Sequence, residues 1–423
     1  MSRSRWRGAR QGALLVIGAL LPLGAAAQAR LDPVRARAID SLLARAVDSA
    51  EIAGAVGLVL IDGRVAYERA VGWSDREARR PMTADALFRI ASQTKALTSV
   101  AIVQLIEAGR IGLDDPVSRW IPSYARVMVA SRSDTGRVLT PAARAITIRM
   151  LLTHTAGISY GTDELVAPLY AAQGFGPTAG FGWYFADKRE PVCTSIDRLA
   201  TLAIVAQPGE RFVYGYNTDI LGCVVERASG LSLDEYLRRK ITGPLGMRDT
   251  WFYVPSAQRA RLTTVYAKTG GSLARAVDGP RGQGDYVDGP RVNFSGGAGL
   301  VSTARDYARF LQAMLQDGQL GSVRILSRNG ARLLHTNLVG TRYDAAGGMG
   351  FGAAFETTER FGAQGLLNER SYGWGGAYGS WYRVDPSTKT VMVFMQQTFG
   401  SGGDVRGRFG QVVQAAMIAP TAR

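Results

Sequence analysis

Ser92 and Lys95 stand three residues apart in the run Phe88-Arg89-Ile90-Ala91-Ser92-Gln93-Thr94-Lys95-Ala96-Leu97-Thr98-Ser99-Val100. Residues at this separation share a helix face, so the serine hydroxyl and the lysine amine can touch. A hydroxyl is a poor nucleophile until a base lies against it. An amine in apolar surroundings can be that base, because loss of solvent disfavours the ammonium. A helix opening near the serine adds free backbone N–H groups aimed at developing negative charge. The pair is equipped for acyl transfer. A helix cap followed by a solvated lysine would give the same four-residue pattern. Two facts weigh against that here. The flanks are apolar, which buries the helix. Lysine is also scarce: only Lys95, Lys188, Lys240, Lys268 and Lys389 occur among 50 basic residues. Arginine does not deprotonate in proteins and could not serve as the base.

Acyl transfer also needs a proton relay and an oxyanion hole. The segment Pro208-Gly209-Glu210-Arg211-Phe212-Val213-Tyr214-Gly215-Tyr216-Asn217 offers the relay. A phenol beside an ammonium has its phenolate favoured, so Tyr214 can shuttle a proton to and from Ser92. Tyr216 is its rival. The segment Gly373-Trp374-Gly375-Gly376-Ala377-Tyr378-Gly379 offers the oxyanion hole. Glycine-rich backbone entering a strand lets a substrate approach closely. The Ala377 N–H would then pair with that of Ser92. Taken singly, Tyr214 would also suit an amphipathic core position, and the glycine run a bulge packed by Trp374.

Two other patterns compete. Lys268-Thr269-Gly270 falls in a turn with Gly271, away from the C-terminal strands. Gly157-Ile158-Ser159-Tyr160-Gly161 matches the Gly-x-Ser-x-Gly elbow, which needs a strand before it and a helix after it. A helix-like stretch precedes it and a loop follows. Its base would have to be His154 or His335, the only two histidines.

The elements that must position these groups are legible from periodicity. Residues 34–49 have the spacing of an amphipathic helix. Residues 55–61 form a buried strand, Asp62-Gly63 a hairpin turn, and 65–73 the return strand. Further helices are predicted over 148–152, 195–206, 219–229, 233–239, 304–315 and near 411–417. A strand–turn–strand spans 263–276, and strands cover 379–384 and 390–395. The two ends supply strands and the middle supplies helices. The fold class is mixed α/β: an antiparallel sheet flanked by helices and built from both chain ends, with a mainly helical lobe inserted at roughly 140–285.

The order Ser-x-x-Lys, Pro-Gly-Glu-Arg-Phe-x-Tyr, Trp-Gly-Gly resembles the serine β-lactamase/penicillin-binding-protein superfamily, and within it the class C-related branch that includes the family VIII carboxylesterases. Supporting runs are Leu151-Leu152-Thr153-His154-Thr155-Ala156-Gly157-Ile158, Gly243-Pro244-Leu245-Gly246-Met247 and Gly296-Gly297-Ala298-Gly299-Leu300-Val301-Ser302-Thr303-Ala304-Arg305-Asp306. The resemblance covers roughly residues 35–417 and implies a β-lactamase/transpeptidase-like fold. It implies Ser92 as the acylated nucleophile, Lys95 and Tyr214 as shared acid/base, and the N–H groups of Ser92 and Ala377 as the oxyanion hole. Tyr216, Asn217, Trp374, Gly375 and Gly376 would bind substrate. There are two departures. The usual Tyr-x-Asn reads Tyr214-Gly215-Tyr216 here, with Asn217 one place late. Trp374-Gly375-Gly376 replaces the Lys-Thr-Gly of true β-lactamases and lacks its cation. Both favour esters of small or medium size over β-lactams. The alternatives are a β-lactamase or D-amino-acid peptidase or amidase, and a non-catalytic binding protein on the same fold.

Composition sets the outer limits. The chain has 423 residues, 46% hydrophobic and 20% charged, which suits one large domain or two lobes. Residues 1–27 have the form of a secretory signal peptide: Arg3, Arg5, Arg7 and Arg10, an apolar run over 12–23, then Ala25-Ala26-Ala27. The hydrolase domain then occupies 28–423, exported to a bacterial periplasm. The formal charge of +15 includes the four leader arginines, leaving +11. No basic helix or aromatic–basic ribbon accompanies it, so nucleic acid is not an expected partner. No later segment has the ~20 apolar residues of a membrane span. Two histidines and two cysteines are too few for an ordinary zinc site, and no metal or cofactor is expected. Cys193 and Cys223 could close a disulfide in an oxidising compartment or remain two buried thiols. The expected partner is a small-molecule ester or amide.

Overall fold

A computed structural model describes Met1 and residues 29–134, 136–177, 189–269, 272–279, 282–400 and 404–418. Apart from Met1, the predicted leader lies outside the described residues. Among the described residues no helix is long and apolar enough to cross a membrane.

In chain order, the elements that build the site are α1 (Pro33–Asp48), β1 (Gly54–Ile61), β2 (Arg64–Asp75), β3 (Arg80–Pro81) and α2 (Thr94–Glu107). Then come α3 (Ile148–Leu152), α4 (Val192–Leu199), α5 (Asn217–Ser229) and α6 (Ala304–Leu315). The chain closes with β4 (Met349–Phe351), β5 (Glu356–Thr358), β6 (Tyr372–Gly375), β7 (Trp381–Asp385), β8 (Thr390–Gln396) and α7 (Val405–Ala416). The eight strands form one antiparallel sheet in the order β4-β5-β6-β7-β8-β1-β2-β3. The β8–β1 pairing, from Thr390↔Ile61 to Gln396↔Ala55, joins the two chain ends.

Strand alternation explains the two layers. Val59 and Ile61 of β1, with Met392 and Phe394 of β8, face a core made with α1 and α7 that includes Leu43, Phe409 and Val413. Val56, Leu58 and Leu60, with Val391, Val393 and Met395, face the larger core formed with α2, α6 and the central helices. Both faces of β1 are covered, so all eight of its residues are buried. Helix α2 is apolar almost all round and lies in the middle of this packing.

Two predicted elements differ from the structure, and one element of the structure was not predicted. The helix expected over 195–206 ends at Leu199, because Ile204 bridges in parallel to Val129 and its N–H donates to Met128. The extended backbone that this bridge needs is incompatible with a helix. The last helix begins at Val405, earlier than expected, with Asp404 accepting from Gly407 N as its cap. A hairpin, Met128–Ser133 with Gly136–Pro141, occupies a stretch for which no element was predicted from the sequence.

Cys193 of α4 and Cys223 of α5 are disulfide-bonded across a separation of 30 residues. Closing a loop of that size restricts the unfolded chain by about 3–4 kcal/mol on the chain-entropy argument. Reductant, or Cys193→Ser with Cys223→Ser, is therefore expected to lower the free energy of unfolding by that amount, read as a lower denaturant midpoint. A midpoint indifferent to reductant would remove the bond from the stability account.

Candidate active site

Ser92 lies in a 3-10 turn, Ala91–Gln93, that feeds directly into α2. Ala91 takes φ 44°, a left-handed conformation unusual for alanine, while buried to 1% exposure. Arg89 on the entering strand is clamped by Gln397, which accepts from its N–H and donates to its carbonyl. The nucleophile candidate thus stands on a tightly held turn.

Lys95, 4% exposed, is one helical turn further on. Its ammonium nitrogen makes three hydrogen bonds: to Ser92 Oγ at 3.2 Å, to the Tyr160 hydroxyl at 2.9 Å and to the Gly297 carbonyl at 2.6 Å. Three protons meet three acceptors. The Gly297 contact is held from beneath. Asp219, fully buried in α5, accepts from Gly297 N at 3.0 Å and from Ser295 Oγ at 2.6 Å. Burial raises the Asp219 carboxyl above its ordinary range, and the Lys95 charge opposes that rise. A Cβ on Gly297 would lie 2.2 Å from Asp219 Oδ2, and one on Gly296 would lie 2.6 Å from the Thr218 carbonyl. Only glycines allow the 296–297 segment to fit between α2 and α5.

Tyr214 faces Lys95 with its ring, the ammonium standing 4.9 Å from the ring centre. Its hydroxyl accepts from Trp374 Nε1 at 3.1 Å. The expected ammonium–phenol hydrogen bond is therefore made by Tyr160, a residue that sequence reasoning set aside with the Gly-x-Ser-x-Gly pattern. Ser159 of that pattern is buried and accepts from Gly161 N, a local turn with no outlet to substrate. Asp219 was missed altogether. A charged residue in the first turn of an otherwise buried helix was the available signal.

Ser92, Tyr214, Trp374, Gly375, Gly376 and Ala377 line one cleft of about 600 Å³. A Cβ on Gly376 would fall 2.6 Å from the Ile90 carbonyl, so the absence of a side chain lets this segment abut the Ser92 turn. The Ser92 N–H lies in the first turn of its helix, and the Ala377 N–H is not drawn into the sheet ladder. Both can donate a hydrogen bond to an oxyanion developing on the substrate.

Tyr216 and Asn217 do not reach this cleft, which corrects their expected contact with substrate. Tyr216 is fully buried, and its hydroxyl accepts from Gly176 N at 3.0 Å. Asn217 Nδ2 donates to His154 Nδ1 at 2.9 Å and to the Val213 carbonyl at 3.2 Å. The one-place offset of the asparagine carries it into α5, where the helix turns it inward. Lys268, on a separate hairpin (Tyr266–Thr269 with Ser272–Arg275), does not line the cleft.

Burial, with the Lys95 charge adding to it, holds His154 well below the ordinary imidazole range. His335 is lowered by burial too. Each ring is neutral when folded but binds a proton near pH 6.5 when unfolded. Their stabilisation is complete above that pH and is lost as pH falls through the depressed folded values. The urea midpoint is expected to drop between pH 7 and pH 5, and His154→Gln to flatten that drop. An identical slope in the variant would remove His154 as a cause.

The Beta-lactamase family profile matches residues 39–417. The chain is 31% identical over 385 residues to esterase EstB of Burkholderia gladioli, covering 86% of this chain and 91% of EstB. It is 31% identical to the lovastatin esterase of Penicillium rubens, covering 67% and 69% of the two chains. Among solved structures, EstCE1, a hydrolase with promiscuous acyltransferase activity, superposes with a TM-score of 0.77 at 29% identity, covering 90% of this chain and 98% of EstCE1. A sheet built from both chain ends, a serine–lysine pair on the central helix and matches of this extent agree: the chain belongs to the Beta-lactamase family.

Proposed function

We propose that this β-lactamase-related serine hydrolase is a carboxylesterase that works through a Ser92 acyl-enzyme. The observation that carries the reading is the 3.2 Å contact between Lys95 Nζ and Ser92 Oγ at the floor of the cleft. Ser92 Oγ forms a bond to the ester carbonyl carbon as its proton passes to the deprotonated member of the Lys95–Tyr214 pair, and the pair returns that proton to the leaving alcohol through Tyr214. The N–H groups of Ser92 and Ala377 hold the oxyanion. Collapse breaks the bond to the alcohol, which leaves with a proton from Tyr214. Water then attacks the acyl-enzyme by the same route in reverse.

Esters are favoured over amides because Asn217 is turned away from the cleft and Trp374 stands where a β-lactam site has a cation. The names of EstB and the lovastatin esterase support the same choice. Turnover of p-nitrophenyl acetate and butyrate is expected to exceed that of nitrocefin. Nitrocefin outrunning both esters would replace this reading with a β-lactamase. A second reading, acyl transfer to an alcohol instead of water, is favoured by the promiscuous acyltransferase activity of EstCE1. It predicts a mixed ester when an alcohol is added at high concentration.

We also infer export. The 1–27 segment has the composition of a leader, and the Cys193–Cys223 bond suits an oxidising compartment. Expression in a bacterium should yield periplasmic protein shortened near residue 27; a full-length cytoplasmic product would reject this.

A further inference from the structure

A second cavity, of about 380 Å³, has Arg89 in its wall. None of the residues lining it lines the Ser92 cleft. Four arginines and four aspartates face it, so their formal charges cancel, but their pairing is uneven. Arg275 holds Asp75 at 2.9 Å, and Arg259 holds Asp288 at 2.6 Å. Arg80 donates through Nε to Ser74 Oγ and through Nη2 to the Leu262 carbonyl, with Asp75 4.0 Å away. Asp278 is exposed and lies 3.8 Å from Arg275. Each of these groups has a partner or open solvent.

Arg89 has neither. It is 3% exposed. Among the described residues it forms no ion pair, and its guanidinium makes one hydrogen bond, from Nη1 to the Thr263 carbonyl at 2.6 Å. Nε is sealed from solvent with no acceptor. The Tyr286 ring lies against the guanidinium, 5.0 Å from ring centre to its central carbon. A ring face favours the cation but supplies no counter-charge. Burial pulls the Arg89 pKa down, yet a guanidinium stays protonated in proteins. A buried charge without a counter-charge is costly to keep. The edge left without acceptors, Nε with Nη2, is one on which a guanidinium can take two oxygens of a single oxyanion. Asp285 also lines the cavity and, among the described residues, pairs with no cation. Its carboxylate opposes an anion there without removing the charge on Arg89.

We propose that this cavity is an oxyanion-binding site, with Arg89 as the buried counter-charge to a phosphate or carboxylate group. One such group is much smaller than 380 Å³, which leaves room for a small organic body beyond the oxygens that Arg89 meets. Arg89 stands three positions before Ser92 in the chain, but its side chain lines this cavity and not the cleft. Binding here is independent of the esterase reading.

Inorganic phosphate, glycerol 3-phosphate and succinate are the probes, each titrated into the whole protein by calorimetry against sodium chloride of equal ionic strength. At least one probe is expected to bind saturably and to raise the thermal midpoint by about 2 °C at ten times its Kd, with no matching rise in chloride. Tightest binding by inorganic phosphate identifies the free ion, by glycerol 3-phosphate an organic phosphate, and by succinate a carboxylate. For that probe Arg89→Met should weaken Kd at least about tenfold, and Arg89→Lys should restore part of the loss. Asp285→Asn should tighten Kd about threefold, because it removes the carboxylate that opposes the anion. The parent titration and the Asp285 variant keep the test decisive even if an Arg89 variant misfolds. No saturable binding of any probe by the parent, a Kd unchanged in a folded Arg89→Met protein, or a Kd no tighter in Asp285→Asn would overturn the proposal.

Discussion

Ser92→Ala is expected to abolish labelling by a fluorophosphonate probe and to cut ester turnover by at least about 10³-fold. Removing the oxygen removes the bond that the acyl-enzyme needs. Among the described residues no other group lining the cleft can take its place: Ser159 is buried in its own turn, and no cysteine is free. The fold should survive, because the Ser92 side chain is an acceptor for Lys95 and not part of the apolar core. Thermal unfolding within a few degrees of the parent would confirm that only chemistry was lost. Activity and labelling that persist in the variant would move the nucleophile elsewhere.

Tyr214→Phe should carry the second largest effect, a fall in kcat of about 10²–10⁴ with little change in KM. Its hydroxyl lies in the cleft with Ser92, anchored by Trp374 Nε1, where it can protonate a leaving alcohol. Tyr160→Phe is expected to cost less. The Tyr160 hydroxyl touches Lys95 but does not line the cleft, so its removal loosens the ammonium without taking away the leaving-group acid. Tyr216→Phe should leave kcat near the parent value and lower stability by about 1 kcal/mol, since Gly176 N loses a buried acceptor. A larger kcat loss in Tyr160→Phe than in Tyr214→Phe would transfer the proton relay to Tyr160. The rivalry that the sequence suggested, Tyr214 against Tyr216, is replaced by one between Tyr214 and Tyr160.

The differing standing of these tyrosines follows from range. Tyr160 is 65 positions from Lys95, and Gly297 is 202 positions from it. No periodicity within a helix or strand reports on contacts of that span. Asn217 shows the same limit at shorter range. Its place in the motif was visible, but the direction of its side chain depended on where α5 begins and on His154 lying beside it.

What the sequence determined by itself was local. Ser92 and Lys95 had to share a face because 3.6 residues make a turn, and α2 had to be buried because its flanks are apolar. The strands at the two ends, the Asp62-Gly63 turn and the order of the motifs were legible for the same reason. The tertiary structure alone decided which phenol touches the ammonium and that Asp219 supports Lys95 through Gly297. Each of these is a meeting of distant segments, set by how two cores pack on opposite faces of one sheet.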